Sequence, residues 1–132
     1  MHATVSHFEI PARDLVRAAR FYREVFGWQV EPLRWEGHPY FTIRGASGET
    51  SPSGKEGIDG GILPIQIGEK AGADHPLLVI HIAGASLDDC LQRVVAAGGW
   101  LDQPPRPVGA FGFFARFRDS EGNLMGLWQA AP

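Results

Sequence analysis

The sequence predicts an α+β fold: two βαβββ modules forming a curved mixed β-sheet, with the helices outside. Three observations lead there. Two amphipathic helices stand in equivalent places, a short alternating strand precedes each, and the chain matches itself at an offset of 72 residues without a gap. In that alignment His7–Arg44 lies on Val79–Arg116, and nine of 38 pairs are identical. They are Ile10/Ile82, Leu15/Leu87, Gly27/Gly99, Trp28/Trp100, Pro32/Pro104, Arg34/Arg106, Gly37/Gly109, Phe41/Phe113 and Arg44/Arg116. Background composition gives roughly two or three such identities. Shared turn chemistry accounts for the glycines, but not for Trp28/Trp100 or Phe41/Phe113.

The elements follow in order. Ser6-His7-Phe8-Glu9-Ile10 alternates, with Phe8 and Ile10 on one face and His7 and Glu9 on the other. The first helix follows Asp14, an N-cap residue type, and ends at Gly27. Leu15, Ala18, Ala19, Tyr22, Val25 and Phe26 form its apolar stripe. That stripe needs an apolar partner surface, so Phe8 and Ile10 face the helix and His7 and Glu9 face away. Trp28-Gln29-Val30 leads out, and Tyr40–Arg44 reads as a strand. Gly45–Gly57, rich in Gly and Ser, reads as a mobile loop before a strand over Ile58–Ile67. Asp74-His75-Pro76 reads as the hinge between modules.

The second module repeats the scheme. Val79-Ile80-His81-Ile82 puts Ile80 and Ile82 toward the helix and Val79 and His81 away from it. The helix follows Ser86, with Asp88 and Asp89 in its first turn, where the helix dipole favours negative charge. Leu87, Cys90, Leu91, Val94 and Val95 form its stripe, and Gly98 ends it. Trp100-Leu101 leads out, Phe113–Arg118 is the next strand, and Leu124–Gln129 returns after a turn at Asp119–Asn123. Trp28 and Trp100 both read as core.

The 132 residues fit one domain, 1–132, with module one at about 4–68 and module two at about 76–130. Apolar residues make up 44% and charged residues 20%, enough apolar side chain to exclude general disorder. No apolar run reaches the roughly 18 residues that span a bilayer, so no membrane partner is expected. No basic segment followed by an apolar one opens the chain, so no secretory signal is expected. The single cysteine, Cys90, allows no internal disulfide and sits on a buried stripe, which fits a reducing compartment and a cytoplasmic location. A net charge of −3 with unclustered Lys and Arg argues against a nucleic-acid partner.

Two local patterns carry a family resemblance. One is His7-Phe8-Glu9-Ile10-Pro11 leading to Asp14-Leu15, Ala18-Ala19-Arg20-Phe21-Tyr22 and Phe26-Gly27. The other is Phe117-Arg118-Asp119-Ser120-Glu121-Gly122-Asn123 before a strand holding Gly126-Leu127-Trp128-Gln129. With the paired modules, they resemble the vicinal oxygen chelate superfamily of glyoxalase I, bleomycin-resistance proteins and extradiol dioxygenases. Ser120 replaces the proline of that superfamily's hairpin. The resemblance implies that the sheet forms a cup, that the ligand is a small organic molecule, and that the protein is a homodimer. It implies no single reaction, since one fold hosts many.

Metal enzymes of the superfamily place ligands on the first and last strands of each module. Carried over by position, these fall on His7 and Val79, and on Gly61 and Gly126 when Glu56-Gly57 is aligned with Glu121-Gly122. On this alignment His7 alone retains a donor. A lone imidazole does not hold a divalent ion, so no cofactor is expected, and the carboxylate that carries the proton in glyoxalase I is missing.

The alternation also lists what lines the cup: His7, Glu9, Val79 and His81, then Asp59, Gly61 and Leu63, and Leu124, Gly126 and Trp128. Glu9 and His81 occupy equivalent places and are the catalytic candidates, as an acid/base pair. The other reading is that each merely pairs with arginine or backbone partners. His7, Trp128, Leu63 and Leu124 are the ligand-binding candidates, with the two glycines giving the ligand room. Trp35, Phe111 and Phe113 are further flat surfaces. The expected function is a small-molecule enzyme or binding protein with a degenerate metal site, of lyase or dioxygenase class if active. The alternatives are a metal enzyme using a rearranged His7/Glu9/His81 set, or a non-catalytic accessory domain.

Overall fold

The helix termini carry their capping chemistry as the sequence requires. In this computed structural model, which describes residues 1–35, 38–44, 57–67, 70–71 and 74–132, Asp14 accepts a hydrogen bond from the Arg17 N–H at 3.0 Å and starts α1 (Leu15–Phe26). Gly27, at φ 69°, closes it in the left-handed conformation that a side chain would oppose. Ser86 does the same for α2 (Leu87–Ala96), its hydroxyl accepting from the Asp89 N–H at 3.1 Å. The strands are β1 (His2–Ala12), β2 (Gln29–Trp35), β3 (His38–Arg44), β4 (Asp59–Pro64), β5 (Gln66–Ile67), β6 (Lys70–Ala71), β7 (Leu77–Ala83), β8 (Trp100–Val108), β9 (Gly112–Arg118) and β10 (Leu124–Ala130). The strand expected over Ile58–Ile67 breaks at Ile65, and most of the Gly45–Gly57 loop lies outside the described residues.

The chain forms two compact units, His7–Pro76 and Leu77–Pro132 with Met1–Ser6. Strand β1 contributes to both: His2–Ser6 groups with Leu77–Pro132, and its residues from His7 onward group with the N-terminal unit. In the N-terminal unit the strand order is β2-β3-β4-β1, with β1 and β4 parallel and the other pairs antiparallel. Ala12, Ala19, Val30, Ile43 and Ile62 form its core, with Phe8, Ile10, Leu15, Ala18, Tyr22, Trp28 and Phe41 packed around them. Phe8 and Ile10 therefore meet α1, as the alternation requires. Burying an Ile43 or Ile62 side chain fully contributes about 2 kcal/mol each. Tyr22 and Trp28 stack with ring centroids 5.2 Å apart. The stripe is shorter than the sequence suggests: Val25 is 56% and Phe26 58% exposed. These two close the helix beyond the edge of its core.

In the C-terminal unit the order runs from the start of β1 through β7-β10-β9-β8, with β7 and β10 parallel. The Ser6 hydroxyl donates to the Val79 carbonyl at 3.4 Å. Ile82, Leu87, Cys90, Leu91, Ala115, Phe117 and Leu127 form the core. Burial pushes the Cys90 thiol above its ordinary pKa, against a smaller lowering by Arg93. Val95 of the expected stripe is exposed. Trp100 is not core either, at 48% exposure. It opens β8, the outermost strand, where one flank has no neighbouring strand among the described residues. Pro104, Pro105 and Pro107 lie in β8, which pairs irregularly with β9, as an edge strand tolerates. The turn before β10 is held by Asp119, whose carboxylate accepts from the Glu121 and Asn123 N–H groups and the Asn123 side chain, each at 2.9 Å.

Candidate functional site

Each unit has one sheet face turned away from its helix, and the sequence-predicted site residues lie on these two faces. In the N-terminal unit, Phe8, Ile10, Phe41, Ile43 and Ile62 belong to the helix side. Alternation puts His7, Glu9, Tyr40, Thr42, Asp59, Gly61 and Leu63 on the other. The Tyr40 hydroxyl donates to the Glu9 carboxylate at 3.3 Å. The two residues sit on β3 and β1, with β4 running between them. Gly61 makes this reach possible. A Cβ there would stand 1.7 Å from the Tyr40 oxygen and 2.1 Å from its ring carbon Cζ. The preceding residue repeats the device on the helix side, since a Cβ on Gly60 would stand 2.6 Å from the Phe8 ring.

Burial first, then the charge of Glu9 and its hydrogen bond, hold the Tyr40 phenol well above its ordinary pKa. The phenol is therefore the donor and Glu9 the acceptor. Tyr40 is thus one partner of Glu9. The alternation alone did not reveal Tyr40 in this role. The available signal was a glycine on the strand between a carboxylate and a tyrosine of the same face.

Strand register corrects the position carried over for the last strand of module one. On the parallel pairs, His7 stands opposite Asp59 and Glu9 opposite Gly61, whereas Val79 stands opposite Gly126 and His81 opposite Trp128. Since His7 matches Val79, the counterpart of Gly126 is Asp59, and Gly61 matches Trp128. The aligned Glu-Gly pairs are shared turn chemistry, displaced by two residues from the strand register. On this register the positions that the resemblance implies fall on His7 and Asp59, which carry donor side chains, and on Val79 and Gly126, which do not. One imidazole and one carboxylate fall short of the three or four protein donors a divalent ion needs. Among the described residues no three His, Cys, Asp or Glu form a group that could hold a metal ion. Among the described residues, the donors at these positions do not fit the superfamily's metal.

The glycines do not leave the expected room. Tyr40 fills the space over Gly61, and a Cβ on Gly126 would meet Val79 at 3.0 Å and the Phe114 ring at 3.1 Å.

On the face of the C-terminal unit opposite α2, where Val79 and Phe114 are buried, Trp128 lies between His81 of β7 and Phe114 of β9, and Gly126 lies between Val79 and Arg116. Leu124 is buried at the start of β10, opposite Arg118. Phe113 falls on the helix side of β9, so Phe114, not Phe113, supplies the aromatic surface there. Phe111 is exposed, and the Trp35 side chain lies outside the described residues. Sequence reasoning also missed the charges of this face. The Asp102 carboxylate stands 3.3 Å from Arg116 Nε and 3.9 Å from Arg118 Nε. Arg118 also donates to the Gly122 carbonyl at 2.9 Å.

Two βαβββ units, each with its first and last strands paired in parallel and polar groups on the face opposite its helix, define a protein of the paired-module class built around first- and last-strand positions. The chain belongs to the Glyoxalase/Bleomycin resistance protein/Dioxygenase superfamily, whose sequence model matches residues 4–127. It is 27% identical over 128 residues to CFP32 of Mycobacterium tuberculosis, a protein whose name marks it as a candidate glyoxylase. That match covers 96% of this chain and 46% of the relative, so the chain spans about half its length. Among solved structures, a hypothetical protein of Bacillus halodurans superposes with a TM-score of 0.69 at 13% identity, over 100% of this chain and 97% of the other. A methylmalonyl-CoA epimerase variant of Streptomyces coelicolor, in complex with 2-nitronate-propionyl-CoA, superposes with a TM-score of 0.66 at 17% identity, over 97% and 94%. These likenesses show the fold. Among the described residues no helix is long and apolar enough to cross a membrane.

Proposed function

We propose that the chain acts on a small organic ligand by proton transfer, with Glu9 as the proton-accepting group and no metal ion. The observation that carries this reading is the Tyr40 hydrogen bond that fixes Glu9 across Gly61. A carboxylate held in one place by a protonated phenol is a defined base, and positioned bases contribute roughly 100- to 10,000-fold to rate. His7 and Leu63 flank Glu9 on the same face and are the ligand contacts of that unit. On the C-terminal unit's own face, His81 is the second acid/base candidate, and Trp128 and Leu124 are ligand contacts.

Resemblance to an epimerase fold supports starting with carbonyl acids and acyl thioesters. In deuterium oxide, the protein should exchange the hydrogen next to the carbonyl of at least one such compound. Glu9→Gln should slow that exchange about 100-fold or more. Equal exchange by the variant, or none across the panel, removes Glu9 from this role.

A second reading is sequestration without turnover. It is favoured by the donor-free Val79 and Gly126 positions. A ligand that raises the melting temperature but exchanges no hydrogen would select it. Saturation at 100 times Kd stabilises by about 2.7 kcal/mol, which a thermal scan resolves. Homodimerisation and a cytoplasmic location belong to the same proposal, to be checked by sedimentation and by fractionation of cells.

A further inference from the structure

We propose that Arg116 is the anchor of an oxyanion subsite on the sheet face opposite α2 in the C-terminal unit, taking a carboxylate or phosphate group of an organic ligand. The inference rests on that unit alone and stands or falls separately from the role of Glu9.

A guanidinium carries five N–H donors in a fixed fork. The Arg116 side chain is 16% exposed, yet its only polar contact among the described residues is Asp102, 3.3 Å from Nε. Even that contact lacks hydrogen-bond geometry: Nε is buried and makes no hydrogen bond. The buried Nε is the donor left without a hydrogen bond, and a partly buried guanidinium gains from an acceptor on its terminal nitrogens. Asp102 cannot neutralise the face, because it also faces Arg118. Arg106 adds a third guanidinium, 6.0 Å from the Phe114 ring centroid. Two arginines share the Asp102 carboxylate, and a third guanidinium, Arg106, lies over the Phe114 ring.

The surroundings suit an organic anion. Arg116 pairs with Gly126 and Phe114 pairs with Trp128, so Trp128 is the diagonal neighbour of Arg116 on that face. Such neighbours lie roughly 7–8 Å apart along the backbone, within the span of one small ligand. An oxyanion on the Arg116 fork would accept two parallel charge-assisted hydrogen bonds, with its organic body against Trp128.

The test titrates the full chain with phenylacetate, with its neutral amide phenylacetamide, and with inorganic phosphate. The Arg116 Nε–H and Trp128 indole N–H resonances are followed by NMR. Phenylacetate or phosphate should shift the Arg116 signal, and the better of the two identifies the group recognised. Phenylacetamide should not shift it. Arg116→Gln should weaken anion binding about tenfold or more, and Arg116→Lys by less, while Arg20→Gln on the exposed side of α1 should leave it unchanged. If Arg116→Gln fails to fold, Arg106→Gln and the Arg116→Lys titration carry the test. Equal binding of acid and amide overturns the proposal, as does an Arg116 signal that moves with neither anion.

Discussion

Gly61→Ala adds one methyl group and should act as though it removed Tyr40. The new Cβ would stand 1.7 Å from the Tyr40 oxygen and 2.1 Å from Cζ. Cζ belongs to a rigid ring, so the whole side chain must leave. Overpacking of this kind costs about 1–3 kcal/mol, and losing a hydrogen bond to a charged acceptor costs about 1.5–3 kcal/mol when buried. Tyr40 and Glu9 are both partly exposed, so water replaces part of the second term, and a total of about 2–4 kcal/mol is expected. The sign should reverse when the obstacle is absent. Gly61 has an ordinary backbone conformation, so in a Tyr40→Ala background the added methyl should be neutral or stabilise by about 0.5 kcal/mol, by restricting the unfolded chain. Urea unfolding of the four proteins in this cycle gives the coupling directly, with equal m-values as the check on two-state behaviour. A cost for Gly61→Ala that is the same in both backgrounds would refute the reasoning.

Three further outcomes are expected. The raised Tyr40 pKa means that its contribution to stability is complete below about pH 10 and declines as pH rises above that value, so alkaline unfolding should be less steep in Tyr40→Phe by ultraviolet titration. Asp119 behaves in the opposite sense: hydrogen bonds from the Asn123 side chain and backbone lower its pKa, so its contribution is present above about pH 4 and lost on acidification, and the urea midpoints of wild type and Asp119→Ala should converge at low pH. Cys90 should react slowly with a thiol reagent in the native chain and at the rate of a free thiol in denaturant; fast native reaction would contradict its burial.

What the sequence made legible was local or periodic. Asp14, Gly27 and Ser86 announce helix ends because capping is chemistry between near neighbours. The 72-residue offset extends beyond identity into register, since Thr42 and Phe114 each lie opposite the position that faces Glu9 or His81 on the next strand. The last strand escaped because a link of different length precedes it in each unit, and only hydrogen-bonded pairing fixes its alignment. Trp100 was misread because a repeat does not encode which strand ends a sheet. The Tyr40–Glu9 contact joins strands separated by a third, and no spacing in the chain marks it. The Arg116 face needed the side-chain geometry of Asp102, which sits at an irregularity in β8.

The parallel pairs have a consequence for the order in which the chain can assemble. Within each unit the strand that leads in sequence is partnered by the strand that closes it: His7 waits for Asp59, and Val79 waits for Gly126. Such pairings close long loops, and chains rich in them fold slowly. During synthesis, β1 leaves the ribosome first yet has no sheet neighbour until β4 emerges, and the residues before His7 wait longer still, for β7. Meanwhile α1 and the β2–β3 hairpin, made from contacts nearby in sequence, have time to form, so Glu9 meets Tyr40 only once β4 has emerged between them.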